Sequence, residues 1–153
     1  MNANQLEEII SNFSSIKNNF LGIYSIDTLP KTFPINHFLV CNYDLKTSPG
    51  SHWFALIRKT KEKIECFDSL SLNESKKKLL LSYCLFRNAQ KIVFNQSSVQ
   101  KRDTATCGKF VTYFLIHRMH NLDQGFQSVL NEIFVTEPEQ NELEVEKFLS
   151  NIV

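Results

Sequence analysis

A chain of 153 residues, 42% hydrophobic and 22% charged, has the composition of an ordinary globular protein that buries about two thirds of its unfolded surface, which argues against a disordered segment. The net charge of +1 divides unevenly: residues 1–122 carry 16 Lys/Arg against 9 Asp/Glu (+7), and residues 123–153 carry 1 against 7 (−6). No apolar run approaches the roughly 18 residues needed to span a bilayer, and Met1 to Gln5 lack the basic start of a signal peptide, so a non-secreted protein of a reducing compartment is expected.

In chain order, Leu6, Ile9, Ile10, Phe13 and Ile16 recur at helical spacing and predict an amphipathic helix ending near Asn18-Asn19. "FLGIYSIDTLPKTFP" (Phe20 to Pro34) holds two prolines and a glycine and reads as irregular connection. Three β-like runs follow, "HFLVCNY" (His37 to Tyr43), "HWFALIRK" (His52 to Lys59) and "KIECFDSL" (Lys63 to Leu70). Pro49-Gly50 and the charged "TKEK" separate them, which predicts consecutive antiparallel hairpins.

Ser71 to Phe86 reads as a helix with Asn73 as N-cap and Leu79, Leu80, Tyr83 and Phe86 on one stripe. Lys91 to Asn95 is a short strand. From Cys107, the apolar positions Phe110, Val111, Phe114, Leu115 and Leu122 mark a long buried helix. Phe126 to Phe134 is helical, and Pro138 opens a last helix whose inner stripe is Val145, Phe148, Leu149 and Ile152. No repeat or linker divides the chain, so residues 1–153 are read as one α+β domain.

Four cysteines (Cys41, Cys66, Cys84, Cys107) lack CxxC and metal-ligand spacing, which favours neither a disulfide framework nor a zinc site. Cys41 and Cys66 fall in apolar strands and Cys84 in a helix stripe, as buried packing residues do. Cys107 differs, because it heads a helix preceded by the capping candidates Asp103, Thr104 and Thr106. An ordinary thiol titrates near 8.5 and is a poor nucleophile at neutral pH; helix-start amides and dipole would favour its thiolate. Gly108 beside it would let a substrate backbone approach.

A thiol nucleophile needs a base, and the base an orienting acceptor. His52 and Asp68 lie on neighbouring predicted strands that a hairpin can bring side by side. An oxyanion also wants donors, and Gln100, in the loop before the thiol, could supply one with the Cys107 backbone N–H; Gln96 is a second candidate. Each spacing alone also fits a small buried cysteine. His117 and His120 lie three apart without a third metal ligand, His37 has no visible partner, and Trp53 reads as packing beside the base.

These residues resemble the adenain family of cysteine endopeptidases, the adenovirus proteinase and its relatives in other double-stranded DNA viruses and virus-like transposons. The likeness begins at "FLGIY" and "FP", continues through "HW" and "FDSL", is most specific at "QSSVQKRDTATCG" (Gln96 to Gly108), and extends weakly to "EVEKFLSNI". It implies a papain-like α+β cysteine protease of the adenain and SUMO-protease type, with a small, mostly antiparallel sheet flanked by helices and the nucleophile starting a central helix. It assigns the base to His52, the acid to Asp68, the oxyanion glutamine to Gln100 and the nucleophile to Cys107.

The resemblance further implies processing of virion precursor polypeptides at small-residue, Gly-Gly type sites during particle maturation, in the virion and the host nucleus or cytoplasm. The chemistry itself needs no cofactor or metal. An activating virion peptide and DNA are implied as cofactors, and the +7 body suits DNA as well as it suits plain solvated surface. No cysteine lies near Ala89 to Lys91, so a disulfide-linked peptide at the adenain position is not expected. SUMO proteases usually carry Asp before the nucleophile, where this chain has Thr106, which favours the viral branch. Removal of ubiquitin-like modifiers and a catalytically silent interaction module of the same fold stay as rivals.

Overall fold

The computed structural model describes residues 1–43, 52–85 and 89–152, with the side chain of Leu85 excepted. The Pro49-Gly50 turn, Ser51 and Phe86 lie outside them. A five-stranded sheet in the order β1-β2-β3-β4-β5 is built from Phe20–Ser25, Phe38–Asn42, Trp53–Arg58, Lys63–Phe67 and Lys91–Phe94. Five α-helices accompany it: α1 (Ala3–Asn12), α2 (Glu74–Leu85), α3 (Cys107–His120), α4 (Phe126–Ile133) and α5 (Pro138–Ser150).

The central strands have both faces covered, and their alternation sorts side chains into two cores. Phe38, Val40, Trp53, Ala55, Ile57 and Phe67 point to the face packed by α1, α3, α4 and α5. Leu39, Cys41, Phe54, Leu56, Ile64 and Cys66 point to the other, packed by Ile26, Leu29, Phe33 and the α2 residues Leu80 and Cys84. Across the first face, α3 stacks Phe114 on Phe67 at 4.3 Å between ring centroids. Its Arg118 meets Glu65 of β4 in an ion pair at 2.9 Å, both side chains being about 1% exposed.

The expected antiparallel hairpins hold for β2-β3-β4, but β1 pairs with β2 and β4 with β5 in parallel, so the sheet is mixed. Parallel neighbours need long crossovers. Residues 26–37 supply one, and the segment containing α2 supplies the other. β1 itself corrects the reading of residues 20–34 as irregular. Its register shifts between Phe20 and Ile23, where Gly22 adopts φ 127°, and both prolines fall beyond it.

The first helix stops at Asn12 rather than near Asn18-Asn19, and the buried Ile16 belongs to the core without being helical. Asn73 does cap α2, its Oδ1 accepting the Lys76 amide at 2.9 Å. Leu79, placed on the inner stripe of that helix, is 45% exposed, and Ile152 lies just past α5, exposed. Leu122 also lies beyond its helix, α3 having ended at His120.

Candidate active site

Ala55 pairs with Phe67, so the residue before β3 and the residue after β4 leave the sheet at the same end. They are His52 and Asp68. The Nε2–H of His52 donates to both carboxylate oxygens of Asp68 at 2.8 Å, an ionised carboxylate being acceptor-only. Asp68 is 1% exposed, and the Leu70 amide also donates to its Oδ1 at 2.8 Å. The carboxylate therefore fixes one tautomer of the imidazole, whose other nitrogen, Nδ1, is left for the thiol.

That thiol is Cys107, at the first position of α3; it lines the same cleft as His52 and lies close enough for the two groups to shift each other's ionisation. The backbone amide of Trp53 donates to its Sγ at 3.5 Å. Burial opposes charge on both groups, yet their polar and charged partners prevail. Hydrogen bonds to Asp68 and Cys107, with their negative charge, push the His52 imidazolium up to about 9. Hydrogen bonds from His52 and from the backbone amides of Trp53 and Gly108 hold the Cys107 thiol below its ordinary value. Both shifts favour the thiolate–imidazolium form of the pair.

The start of α3 differs from the expectation of a side-chain cap. Thr106 occupies the N-cap position but makes no capping bond, and Asp103 is exposed. Gly108 also departs from its expected role. A Cβ there would sit 3.1 Å from Met1 Cβ and 3.4 Å from Leu6 Cδ2 and Trp53 Cδ1, so the glycine lets α1 pack against α3 and does not face a substrate. Trp53 is structural as read, 6% exposed, with its indole N–H donating to the Met1 carbonyl at 3.0 Å.

Gln100 is brought to the same place. It is 2% exposed, and Ser69 Oγ donates to its Oε1 at 2.5 Å, which orients the amide. Its NH₂ donates to the Thr104 carbonyl at 2.9 Å and Oγ1 at 3.2 Å. Gln96 is exposed and outside the cleft. His52, Asp68, Gln100 and Cys107 together line an open cleft of about 440 Å³, with Leu70, Ser71, Leu72, Asn73, Lys76, Thr104 and Ala105.

Three supporting residues, Asn95, Ser69 and Glu142, went unread in the sequence, and Thr104, read as a capping candidate, serves the loop instead. Asn95 brackets the Asp68 backbone, Ser69 holds Gln100, and Thr104 and Glu142 tie the loop before Cys107. Only Asn95, one position past β5 beside the end of β4, had a topological signal. Elsewhere, none of the four cysteines forms a disulfide, and Cys41, Cys66 and Cys84 are buried. His117 packs edge-on against Tyr113, and His120 bonds Ser15 Oγ at 2.8 Å. His37 Nδ1 meets the Ile35 carbonyl at 3.2 Å. Among the described residues no group of three or more His, Cys, Asp or Glu could hold a metal ion, and no helix is long and apolar enough to cross a membrane.

No family model and no curated protein matches this chain. Solved structures do. The central domain of the uncharacterized Lpg1148 protein from Legionella pneumophila aligns with 100% of this chain and 98% of its own length, at 13% identity and a TM-score of 0.54. ChlaDub1 from Chlamydia trachomatis aligns over 76% of this chain at 16% identity and a TM-score of 0.51, and the chain spans 59% of its length. The ASFV pS273R protease aligns over 73% of this chain and 44% of its own, at 19% identity and a TM-score of 0.40. At such identities the likeness defines the fold, which is papain-like and of the SUMO-protease type.

Proposed function

We propose that this chain is a single-domain cysteine endopeptidase in which Cys107 is the nucleophile, His52 the base, Asp68 its orienting acid and Gln100 an oxyanion donor. One observation carries the reading: the imidazole of His52, hydrogen-bonded to a buried carboxylate, shares one open cleft with a thiol at the start of a helix. In the proposed cycle the Cys107 thiolate attacks a peptide carbonyl, forming a C–S bond. The charge passes to the carbonyl oxygen, which the Gln100 NH₂ and Cys107 N–H would receive. Collapse breaks the C–N bond as the imidazolium protonates the leaving amine. Water, giving its proton to His52, then cleaves the thioester and releases the acid and the thiol.

The resemblance at Gln96 to Gly108 supports virion precursor polypeptides as substrates, cut at Gly-Gly type sites in the particle or the infected cell's nucleus or cytoplasm. The same resemblance, with the basic body, supports activation by DNA and by a virion peptide that is not disulfide-linked. Purified chain would be assayed with an internally quenched Gly-Gly peptide and with a ubiquitin-like modifier carrying a C-terminal fluorophore, with and without DNA and candidate virion peptides. Cleavage of the peptide, abolished by Cys107→Ala and by His52→Ala, is expected. Preference for the modifier would transfer the reading to deconjugation, and silence on both under every condition would overturn it.

A further inference from the structure

The loop between β5 and α3 carries Gln100 and delivers Cys107, yet much of its support comes from α5. Asn141 anchors its root, Nδ2 donating to the Val99 carbonyl at 3.1 Å and to the Val135 carbonyl at 2.8 Å. The next residue reaches further along. The Glu142 carboxylate accepts the Lys101 amide at 3.3 Å, Thr104 Oγ1 at 2.7 Å and Thr106 Oγ1 at 3.0 Å to each oxygen. Hydrogen bonds to an ionised acceptor are roughly twice as strong as neutral ones, so this carboxylate is a firm clamp.

The two hydroxyls it holds are not equivalent to any others in the loop. Thr104 is the residue against which the Gln100 NH₂ rests. Thr106 is the N-cap of α3, and its hydroxyl is turned to Glu142 and not onto the helix amides, which leaves the Gly108 amide to the Cys107 sulfur. One side chain thus sets the position of both groups proposed above as oxyanion donors, the Gln100 amide through Thr104 and the Cys107 N–H through Thr106.

We propose that Glu142 is a positioning residue for the oxyanion-binding pair, holding the Gln100 side chain and the first turn of α3 in mutual register through Thr104 and Thr106. The proposal rests on the hydrolase reading. It assigns Glu142 no contact with substrate, and the loop's root keeps its bond from Asn141 to the Val99 carbonyl whatever stands at 142.

Full-length wild type, Glu142→Ala, Thr104→Val, Thr104→Ser and the Glu142→Ala/Thr104→Val double variant would be compared on the quenched Gly-Gly peptide. Iodoacetamide alkylation of Cys107 across pH would be measured alongside, since alkylation uses the thiolate but forms no oxyanion. Removing an oxyanion donor outright costs roughly a hundred- to a thousand-fold in kcat, so loosening the pair is expected to cost about ten- to a hundred-fold. KM and the alkylation profile stay within about two-fold, the double variant is no worse than the worse single one, and Thr104→Ser recovers most of the loss.

Wild-type kcat in a folded Glu142→Ala protein overturns the proposal. So does alkylation falling in step with kcat, which would put the damage at the nucleophile. If Glu142→Ala does not fold, Thr104→Val, which leaves the Lys101 and Thr106 bonds to Glu142 in place, decides by the same criteria. Absence of turnover by the wild type overturns the hydrolase reading itself and takes this proposal with it, whereas turnover by the wild type with unaffected variants overturns the proposal alone.

Discussion

Asn95 grips the backbone of Asp68 from both sides: its Oδ1 accepts the Asp68 amide at 2.9 Å, and its Nδ2 donates to the Asp68 carbonyl at 2.8 Å. Both residues are almost fully buried, and Asn95 immediately follows the strand that pairs Phe94 with Cys66. The side chain therefore acts as one more rung of the β4-β5 ladder, at the point where the backbone must turn to present the acid.

Asn95→Ala leaves the buried Asp68 amide without its partner, at a cost of about 1–3 kcal/mol, and removes one of the two donors to the Asp68 carbonyl, the Ser71 amide staying in place. A loss of roughly 2 kcal/mol or more in urea unfolding is expected, together with a lower kcat as Asp68 drifts from His52. Asn95→Asp keeps the acceptor for the Asp68 amide but loses the donor and sets a second carboxylate beside the first, so it should do no better than alanine in turnover.

The ion pair predicts the pH dependence. With the thiol lowered and the imidazole raised to about 9, turnover, which needs the imidazolium to protonate the leaving amine, should fall on an alkaline limb near 9, whereas alkylation, which needs only the thiolate, should not fall there. Asp68→Asn removes a principal cause of the elevation and should move that limb down toward the ordinary histidine range. Because the folded value of His52 exceeds 6.5, its protonation stabilises the fold fully below that pH, and the contribution fades as pH rises through about 9. The urea midpoint gap between wild type and Asp68→Asn should therefore narrow between pH 6 and pH 9.5.

Thiol counting separates Cys107 from the other cysteines. Burial pushes the Cys41 and Cys66 thiols up, and Cys84 is 1% exposed on the same side of the sheet. Mass spectrometry after brief iodoacetamide treatment at pH 7 should find one adduct on folded protein, at Cys107, and four after urea. Equal labelling of several cysteines in the folded chain would contradict the electrostatic account.

Gly108→Val tests which way that glycine faces. Crowding Met1, Leu6 and Trp53 should cost about 1–3 kcal/mol and alter the emission of Trp53, the single tryptophan. A variant of unchanged stability with raised KM would mean that the position faces the cleft after all.

The sequence made the convergence of His52, Asp68, Gln100 and Cys107 legible through the combination of neighbouring strands, a helix start and the adenain resemblance, none of which sufficed alone, and strand alternation ran through β2, β3 and β4 without interruption. What it concealed were bonds without periodicity. Glu142 reaches Thr104 across 38 residues, and Ser69 reaches Gln100 across 31, separations that no local pattern encodes. β1 was hidden by Gly22 within the strand and by the prolines that follow it, both of which usually punctuate. The capping reading of Thr106 failed because its hydroxyl, whose oxygen would have to accept a helix amide, is instead turned to donate to the Glu142 carboxylate.

The order in which ribosomes deliver these groups matters. Imidazole, acid, amide and sulfur have all been translated before Asn141 and Glu142, so a nascent chain holds every reacting group while the stretch from Val99 to Thr106 still lacks its α5 partners. Synthesis of α5 thus supplies the last partners of this loop, and it separates the moment at which the proposed nucleophile is made from the moment at which its surroundings are finished.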